Sequence, residues 1–271
     1  MTGLPGRLLY RYGRAPYHKG KRHLLTYFHR LFGPVLVKSD YGPVLACFLT
    51  NAEQSLIYEN PYNTPIHRII VERLDEFDLF VDIGAHIGLF SLVCALESGG
   101  RIRSIAFEPS PREYRRLLTN IAANGVSSIS PIHCALGDGP RFAGFQIAED
   151  HQNTGTNHVV AAQSDGNLDV LLLELDMLAG LGAERAFVKI DTEGYEFSVL
   201  RGGTGFLGGL ASGFVLLEYT PQSAARLGYG LDDIVDLLRD AGFGLSRRIP
   251  SPNGFQEDIL FVKPARAAAP P

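Results

Sequence analysis

The pattern of apolar and polar positions changes near residue 79. From there, near-continuous apolar runs alternate with amphipathic runs that end at glycine. Ser110 opens one of the helical runs and Gly125 closes it. Such β-α-β-α-β alternation predicts a parallel sheet covered by helices on both faces. The segments, in order, are a strand LFVDIG, a helix HIGLFSLVCALESGG, a strand IRSIAFEP, a helix SPREYRRLLTNIAANG and a strand SISPIHCAL.

The pattern resumes after a less regular stretch at residues 139–167. It predicts a strand and turn AFVKIDTEG, a helix around residues 196–200, a strand GFVLLEY, a helix LDDIVDLLRDAG and a closing hairpin of GLSRRI and DILFVK. The predicted fold class is therefore α/β, a doubly wound, Rossmann-like, mostly parallel seven-stranded sheet with a C-terminal antiparallel hairpin.

The segment that precedes the sheet has a different character. Residues 35–49 read as two short strands around a Tyr-Gly-Pro turn, and residues 66–74 as a short helix with apolar positions on one side. We divide the chain into an N-terminal extension at 1–75, one α/β domain at 76–263 and a disordered tail at 264–271, which has almost nothing to bury.

Charge is concentrated in the extension. Eight Lys or Arg and no acid precede Asp40, whereas the rest of the chain carries 17 basic residues and all 29 acids. Aromatic residues interleave with the basic ones, so contact with nucleic acid or an anionic surface is conceivable. The alternative, which we favour, is an arm with a solvated basic face that packs its aromatic side chains on the acidic body.

Several classes of protein are disfavoured by composition. Cys47, Cys94 and Cys134 are far apart, odd in number and set among apolar residues, which indicates reduced core thiols rather than a disulfide framework or a zinc site. The longest apolar stretch, residues 88–96, is far shorter than the roughly 20 residues of a membrane-spanning helix. The start lacks the apolar core of a secretory signal. We therefore expect a cytoplasmic protein.

The stretch FVDIGAHIGLF, residues 80–90, occupies the corner where a doubly wound sheet binds its ligand. A dinucleotide fingerprint would require glycine at 84, 86 and 89, but His86 and Leu89 stand at two of these positions. No G-x-x-x-x-G-K-[ST] phosphate loop occurs either. The pattern that fits is acid-x-Gly-x-x-x-Gly, with a second acid, Glu108, at the end of the next strand.

This corner resembles the cofactor site of class I S-adenosylmethionine-dependent methyltransferases. The motifs VDIGAHIGLFS, AFEPSPREYRRLLTNIAANG, CALGD, VKIDTEGYEFSVLRGG and LLEYTP resemble, in the same order, those of the FkbM-type methyltransferases. The resemblance covers roughly residues 75–263, and VKIDTEGYEFSVLRGG is its most specific part. It implies the class I methyltransferase architecture and S-adenosyl-L-methionine as cofactor. One departure is His86, since the family usually has Asn there.

Each part of this corner has a physical role in binding that cofactor. The glycines let backbone approach its amino acid end, and Asp82 supplies a fixed acceptor below the turn. Glu108, 20 residues after Gly88, is placed to accept both ribose hydroxyls. Standing alone, it would be read as a solvated strand cap. The predicted cofactor-binding residues are Asp82, Gly84, Ala85, His86, Gly88, Glu108, Pro109 and Ser110 at the adenosine edge, and Ala135 and Leu136 at the adenine face.

A second cluster follows the fourth predicted strand of the domain. Strand alternation turns Lys189 and Asp191 to one face, at the carboxyl end of the strand beside the cofactor corner. Asp191 is the candidate base, Glu193 its backup, and Lys189 fixes Asp191 or a developing alkoxide. The alternative is structural: a carboxylate cap on the Thr192 and Gly194 amides plus a salt bridge.

Two further groups could assist this cluster. Glu218, at the end of the next strand, could join Asp191 in holding a divalent cation such as Mg²⁺ that acidifies a hydroxyl, although we favour a reaction without metal. His158, in the polar segment NTGTNHVV, is a candidate second base, and a surface role is the more common use of such a histidine.

The sequence thus predicts an S-adenosylmethionine-dependent O-methyltransferase acting on a small hydroxylated acceptor. The family resemblance implies a sugar or a secondary metabolite, and N-methylation stays open. One alternative is an RNA or protein methyltransferase whose basic arm holds the substrate, which predicts steep salt dependence. Another is a non-catalytic module that binds the cofactor and serves a partner.

Overall fold

The computed structural model describes residues 11–12, 27, 34–47, 56–147, 157–160, 166–252 and 254–265, and elements are numbered in chain order within them. The strands are β1 Val35–Lys38, β2 Val44–Cys47, β3 Leu79–Ile83, β4 Arg103–Phe107, β5 Ile129–Ile132, β6 Ala135–Leu136, β7 Arg141–Gln146, β8 His158–Val159, β9 Leu168–Leu173, β10 Arg185–Ile190, β11 Ser212–Tyr219, β12 Gly244–Pro250 and β13 Glu257–Lys263. The α-helices are α1 Asn63–Val71, α2 Leu89–Glu97, α3 Pro111–Asn124, α4 Glu196–Arg201, α5 Thr204–Gly209, α6 Pro221–Arg226 and α7 Leu231–Asp240, with a 3₁₀ helix at Leu175–Leu181.

The main sheet has seven strands in the order β12-β13-β11-β10-β3-β4-β5. Strands β11, β10, β3, β4 and β5 are parallel, and β13 is antiparallel to both β11 and β12. The chain order reverses between β3 and β10, so their carboxyl ends form the switch point where ligands bind in such folds. The predicted fold class, including the C-terminal hairpin, is confirmed.

The central strands β3, β4, β10 and β11 are buried on both faces of the sheet, since most of their residues are apolar. Within β3, Phe80 joins a core cluster that includes α1, α2 and α3, whereas Val81 joins a cluster on the opposite face that includes α4, α5 and α7. This alternation follows from the two-residue period of a strand. Ser110 and Gly125 flank α3 as predicted, and Gly125 ends it with a φ of 63°.

A second sheet was not predicted. The strand predicted over SISPIHCAL is wrong as a single element, because β5 ends at Ile132 and the next two-residue strand, β6, pairs in parallel with β9. The complete order is β6-β9-β7-β8. Its strands do not alternate regularly between buried apolar and exposed polar residues. For example, the apolar residues Phe142 and Leu171 lie opposite each other and are both exposed. The sequence pattern at 139–167 therefore gave no clear strand signal.

The described part of the N-terminal extension packs on the main domain. Strands β1 and β2 form the predicted antiparallel hairpin, and Leu45 and Cys47 join the same core cluster as α2 and α3. Helix α1 starts at Asn63, three residues earlier than predicted, because the Asn60 side chain accepts the amide hydrogens of Tyr62 and Asn63. The domain boundaries stay a prediction.

Some predictions concern residues outside the described part of the chain. These include most of the basic arm before residue 34, the tail after residue 265, and residues 153–156 of the polar segment before His158. All three cysteines are buried and free, as expected. No helix among the described residues is both long enough and apolar enough to cross a bilayer.

Candidate active site

The loop between β3 and α2 is held against the end of β4 by backbone hydrogen bonds. Gly84 and Ala85 both donate their amide hydrogens to the Phe107 carbonyl, at 3.0 and 2.9 Å. Gly84, His86 and Gly88 have φ angles of 76°, 52° and 85°. His86 is thus a non-glycine residue in the left-handed region, which histidine adopts more often than most other residues do. We call residues 84–88 the glycine loop.

Both glycines of this loop are required by the protein's own packing. A β-carbon on Gly84 would overlap the backbone carbonyl of Asp191, and one on Gly88 would overlap the Leu117 side chain. The sequence suggested instead that these glycines leave room for a ligand. The structure supplies an internal reason, since each contact joins the glycine loop to another part of the site.

Glu108 links the glycine loop to the start of α3. Its Oε2 accepts the amide hydrogen of His86 at 2.7 Å, and its Oε1 accepts that of Ser110 at 2.7 Å. The side chain is 6% exposed. Burial raises the pKa of Glu108 to about 8, although the two amide hydrogen bonds favour its ionised form. The carboxyl group is therefore fixed at the tip of β4, as the sequence predicted.

Asp82 lies beneath the loop, almost fully buried. Its Oδ2 accepts hydrogen bonds from the amide and the hydroxyl of Ser91, at 3.2 and 2.7 Å, which satisfies a donor in the first turn of α2. Its Oδ1 has no hydrogen-bond partner and lies 3.9 Å from Lys189 Nζ. Burial raises the pKa of Asp82 even though Lys189 lowers it. Asp82 is thus bonded to the first turn of α2, the helix that follows the glycine loop.

The predicted adenosine residues are divided between two environments. Pro109 is half-buried beside Glu108, and Ser110 is buried at the start of α3, where its hydroxyl bonds to Glu113. Ala135 and Leu136 belong to β6 of the second sheet and are buried in core clusters, so the expectation that they end the third strand is wrong.

His133 occupies the position at the end of β5 that the sequence assigned to Ala135 and Leu136. It is exposed, its Nε2 lies 3.0 Å from the Pro109 carbonyl, and its ring stacks on Tyr114 at 4.7 Å between centroids. His133 was not predicted as a candidate at this strand end, because the predicted strand extended past residue 132. A predicted strand that ended at Ile132 would have placed His133 directly after it.

Lys189 and Asp191 form the centre of the second cluster. Lys189 Nζ donates to Asp191 Oδ2 at 3.0 Å and lies 5.3 Å from the centre of the Phe90 ring. Burial lowers the pKa of Lys189, but Asp191 and Asp82 outweigh that effect and raise it, so the ammonium stays charged. The predicted salt bridge is present.

Three more carboxyl groups surround this ion pair. Glu193, Glu218 and Asp258 have pKa values raised to about 8, 10 and 7, in each case first by burial and then by the charge of Asp191. Asp258 was not predicted; it lies on β13 directly opposite Glu218 on β11. One carboxylate oxygen from each of Asp191, Glu193 and Glu218 lies within 4.8 Å of the others. That spacing suits a hard divalent cation.

The turn that carries Asp191 and Glu193 is fixed by a buried glutamate. Glu196 Oε1 accepts hydrogen bonds from the Thr192 amide, the Thr192 hydroxyl and the Gly194 amide, all at 3.0 Å. The Tyr229 hydroxyl lies 3.0 Å from Glu196 Oε2 and donates to the Gly194 carbonyl at 2.7 Å. The carboxylate cap on the Thr192 and Gly194 amides that the structural alternative predicted is therefore present, and Glu196 rather than Asp191 supplies it.

Comparison with known proteins identifies the family. The domain described as "Methyltransferase FkbM domain" matches residues 82–245, more than half of the chain. This chain belongs to the FkbM methyltransferase family. Its cofactor is S-adenosylmethionine.

Two relatives of this FkbM methyltransferase illustrate the similarity. The hexuronic acid methyltransferase AglP of Haloferax volcanii is 27% identical over 190 residues, which cover 67% of this chain and 75% of AglP. The crystal structure of a methyltransferase FkbM from Methylobacillus flagellatus KT is 15% identical, with a TM-score of 0.50 over 90% of this chain and 71% of that one. At 15% identity, the similarity to the Methylobacillus flagellatus structure shows only that the two chains share a fold.

His158 is the one predicted catalytic residue that lies on the second sheet. It is half-buried in β8, opposite Gln146 of β7, whereas Lys189 and Asp191 belong to the end of β10 in the main sheet. Its role as a second base stays a prediction.

Proposed function

We propose that this FkbM methyltransferase transfers a methyl group to a hydroxyl of a small acceptor, a sugar or sugar-like metabolite, with Asp191 as the base. The observation that carries the proposal is the position of the Lys189–Asp191 ion pair. Asp191 donates its amide hydrogen to Ile83 at 3.0 Å, and its carbonyl lies against Gly84. The candidate base therefore lies directly beside the glycine loop.

The glycine-loop corner fits S-adenosylmethionine. Each Glu108 oxygen accepts one amide hydrogen bond, and a carboxylate has about four acceptor sites, so the two remaining sites suit a ribose diol. Gly84, Ala85, His86 and Gly88 would surround the amino acid end, with Asp82 holding the loop from below. Pro109, Ser110 and His133 would border the adenosine. Ala135 and Leu136, which lie on β6 of the second sheet, are poorer candidates for that border.

The bound cofactor supplies a methyl group made electrophilic by its sulfonium charge. An acceptor hydroxyl placed in line with that methyl forms the new C–O bond as the C–S bond breaks, and its proton passes to the Asp191 carboxylate. Lys189 holds Asp191 through Oδ2, which fixes its orientation. Glu193 is the weaker candidate, because with a pKa of about 8 it is largely protonated at neutral pH.

The acceptor class is supported by the relative named for a hexuronic acid and by the chemistry of the residues around Asp191. The carboxyl groups of Glu193, Glu218 and Asp258 surround the Lys189–Asp191 ion pair, and such groups hydrogen-bond sugar hydroxyls well. The same oxygens can hold a divalent cation, so the assay must include arms with magnesium and with chelator.

The decisive experiment is an acceptor screen with labelled S-adenosylmethionine, using neutral sugars, hexuronic acids, a transfer RNA and an unrelated protein. We expect label in a sugar methyl ether, with a rate that depends weakly on salt, whereas label in a methyl ester would place the transfer on a carboxylate and contradict the hydroxyl acceptor. Label in the RNA, lost at high salt, would instead support the basic arm as a substrate-binding element. Cofactor binding without turnover on any acceptor would support a binding module.

A further inference from the structure

Helix α3 holds the open edge of β2 with side chains. Strand β2 pairs with β1 on one edge, and on the other its backbone bonds to α3. Asn124 accepts the amide hydrogen of Val44 at 2.8 Å and donates to the Val44 carbonyl at 2.7 Å. Asn120 accepts the amide hydrogen of Ala46 at 2.7 Å, and Arg116 donates to the Ala46 carbonyl at 2.7 and 3.1 Å.

The spacing of these residues matches the strand. Arg116, Asn120 and Asn124 follow one another at intervals of four, so they lie along one face of α3. Four helical residues advance about 6 Å, and two strand residues advance about 6.8 Å. Three helix side chains can therefore satisfy two successive outward-facing peptide groups of β2. The hairpin is fixed to the main domain by polar bonds as well as by its apolar core.

Asn120 also reaches the glycine loop. Its Nδ2 donates to the Ile87 carbonyl at 2.8 Å, so one amide side chain bonds β2 through its oxygen and the loop through its nitrogen. Asn120 and Ile87 are fully buried. One helical turn earlier, Leu117 packs against Gly88. Asn124 bonds the same strand without a bond to the loop.

We propose that Asn120 is a positioning residue for the cofactor, and that the β1–β2 hairpin is part of the support of the cofactor site. By fixing the Ile87 carbonyl, Asn120 sets the orientation of the turn whose His86 amide donates to Glu108. The Ala46 amide of the hairpin bonds to Asn120 Oδ1, and this bond selects the side-chain rotamer in which Asn120 Nδ2 reaches the Ile87 carbonyl. The proposal rests on the assignment of the glycine loop to the cofactor, and is independent of the acceptor.

The test compares Asn120→Leu with the matched control Asn124→Leu. Both changes remove side-chain bonds to β2, but only the first removes the bond to the loop. We measure the dissociation constant for S-adenosylhomocysteine by calorimetry, the melting temperature, and amide hydrogen exchange in peptides covering residues 84–92. We expect Asn120→Leu to weaken binding about tenfold and to speed exchange in the loop, as loss of one buried hydrogen bond predicts. Asn124→Leu should lower the melting temperature while binding stays near wild type.

A second variant covers the case in which Asn120→Leu does not fold. Asn120→Asp keeps the acceptor for Ala46 but loses the amide donor, so it should also weaken binding, and the matched Asn124→Asp should not. Equal weakening by the 120 and 124 variants, or unchanged binding in the Asn120 variants, would overturn the proposal. Failure of the wild type to bind S-adenosylhomocysteine would overturn instead the cofactor assignment on which it rests.

Discussion

The backbone carbonyl of Asp191 occupies the space that a β-carbon on Gly84 would need. The same residue donates its amide hydrogen to the Ile83 carbonyl at 3.0 Å. The end of β10, which carries the candidate base, is therefore in direct backbone contact with the end of β3, which begins the glycine loop. The proposed cofactor and acceptor sites meet at this backbone contact, and a change at Gly84 should affect both.

Gly84→Ala should destabilise the protein and abolish cofactor binding. Its φ of 76° strains any side chain, at a cost of order 1–3 kcal/mol, and the overlap with Asp191 adds to that cost. Gly228→Ala is the matched control, since Gly228 has a φ of 80° and no atom within 4 Å of an added β-carbon. Thermal unfolding and calorimetry of both variants measure the loss of stability and of cofactor binding. Equal losses of stability in the two variants would show that the overlap with the Asp191 carbonyl adds no cost.

Binding of the cofactor at pH 7 should release a proton from Glu108. With a pKa of about 8 in the free protein, Glu108 is about nine-tenths protonated at that pH, and two ribose hydroxyls favour the ionised form. Affinity should therefore rise as the pH increases from 6 to about 9. Calorimetry in buffers of different ionisation enthalpy measures the released proton.

The Glu108→Gln variant is the control for that measurement. It retains the size of the side chain and can accept one hydrogen bond, but it has no proton to release near neutral pH. Wild-type binding whose heat does not depend on the buffer would mean that Glu108 has the same protonation state in the free and the bound protein, and it would contradict the predicted proton release.

Lys189→Met should destabilise the protein by about 3 kcal/mol or more, because it leaves Asp82 as a buried carboxyl group without a cation. Asp82→Asn in the same background should recover part of the loss, since the amide removes the unpaired charge. Denaturant unfolding of both single variants and of the double variant measures the coupling. Strictly additive effects would contradict an interaction between the two residues.

The carboxyl groups around Asp191 should make stability decline with rising pH. The pKa values of Asp258, Glu193 and Glu218 are raised to about 7, 8 and 10, above their ordinary values. The stability tied to their protonated forms is complete below pH 4 and is lost as the pH rises through these values. The melting temperature of the wild type should fall across that range.

Removing one of these groups tests the cause of that decline. Glu218→Gln should give a shallower fall, most clearly above pH 8, whereas Glu76→Gln at an exposed position should follow the wild type. Parallel curves for wild type and Glu218→Gln would mean that Glu218 does not titrate in this environment.

Local pattern was sufficient to predict the main sheet. Strands that begin with LFV and AFV carry apolar residues on both faces before their first charged residue, and the glycine and proline signals that separate the strands are strong. The position of Glu108 at a strand tip and the Lys189–Asp191 pair followed from strand ends and from the two-residue alternation, which are local properties. The predicted ion pair is present at 3.0 Å.

Features that depend on pairing between distant segments were not predictable in this way. Asp258 faces Glu218 only because β13 inserts between β11 and β12. The sequence of neither strand alone predicts the register of that pairing. The two bonds of Asn120, to Ala46 and Ile87, join three segments that are remote in sequence. In the second sheet, β6 and β8 have only two residues each, and β7 and β9 mix buried with exposed positions, so none of them gives a clear periodic signal.

The most direct test of the central claim is a comparison of wild type with Asp191→Asn, using an acceptor found in the screen. If Asp191 is the base, the variant should bind S-adenosylhomocysteine nearly as the wild type does, while its kcat falls about 10²- to 10⁴-fold. A kcat within a factor of about two of the wild type would contradict the account, because loss of a general base cannot leave the chemical step unchanged when that step limits the rate.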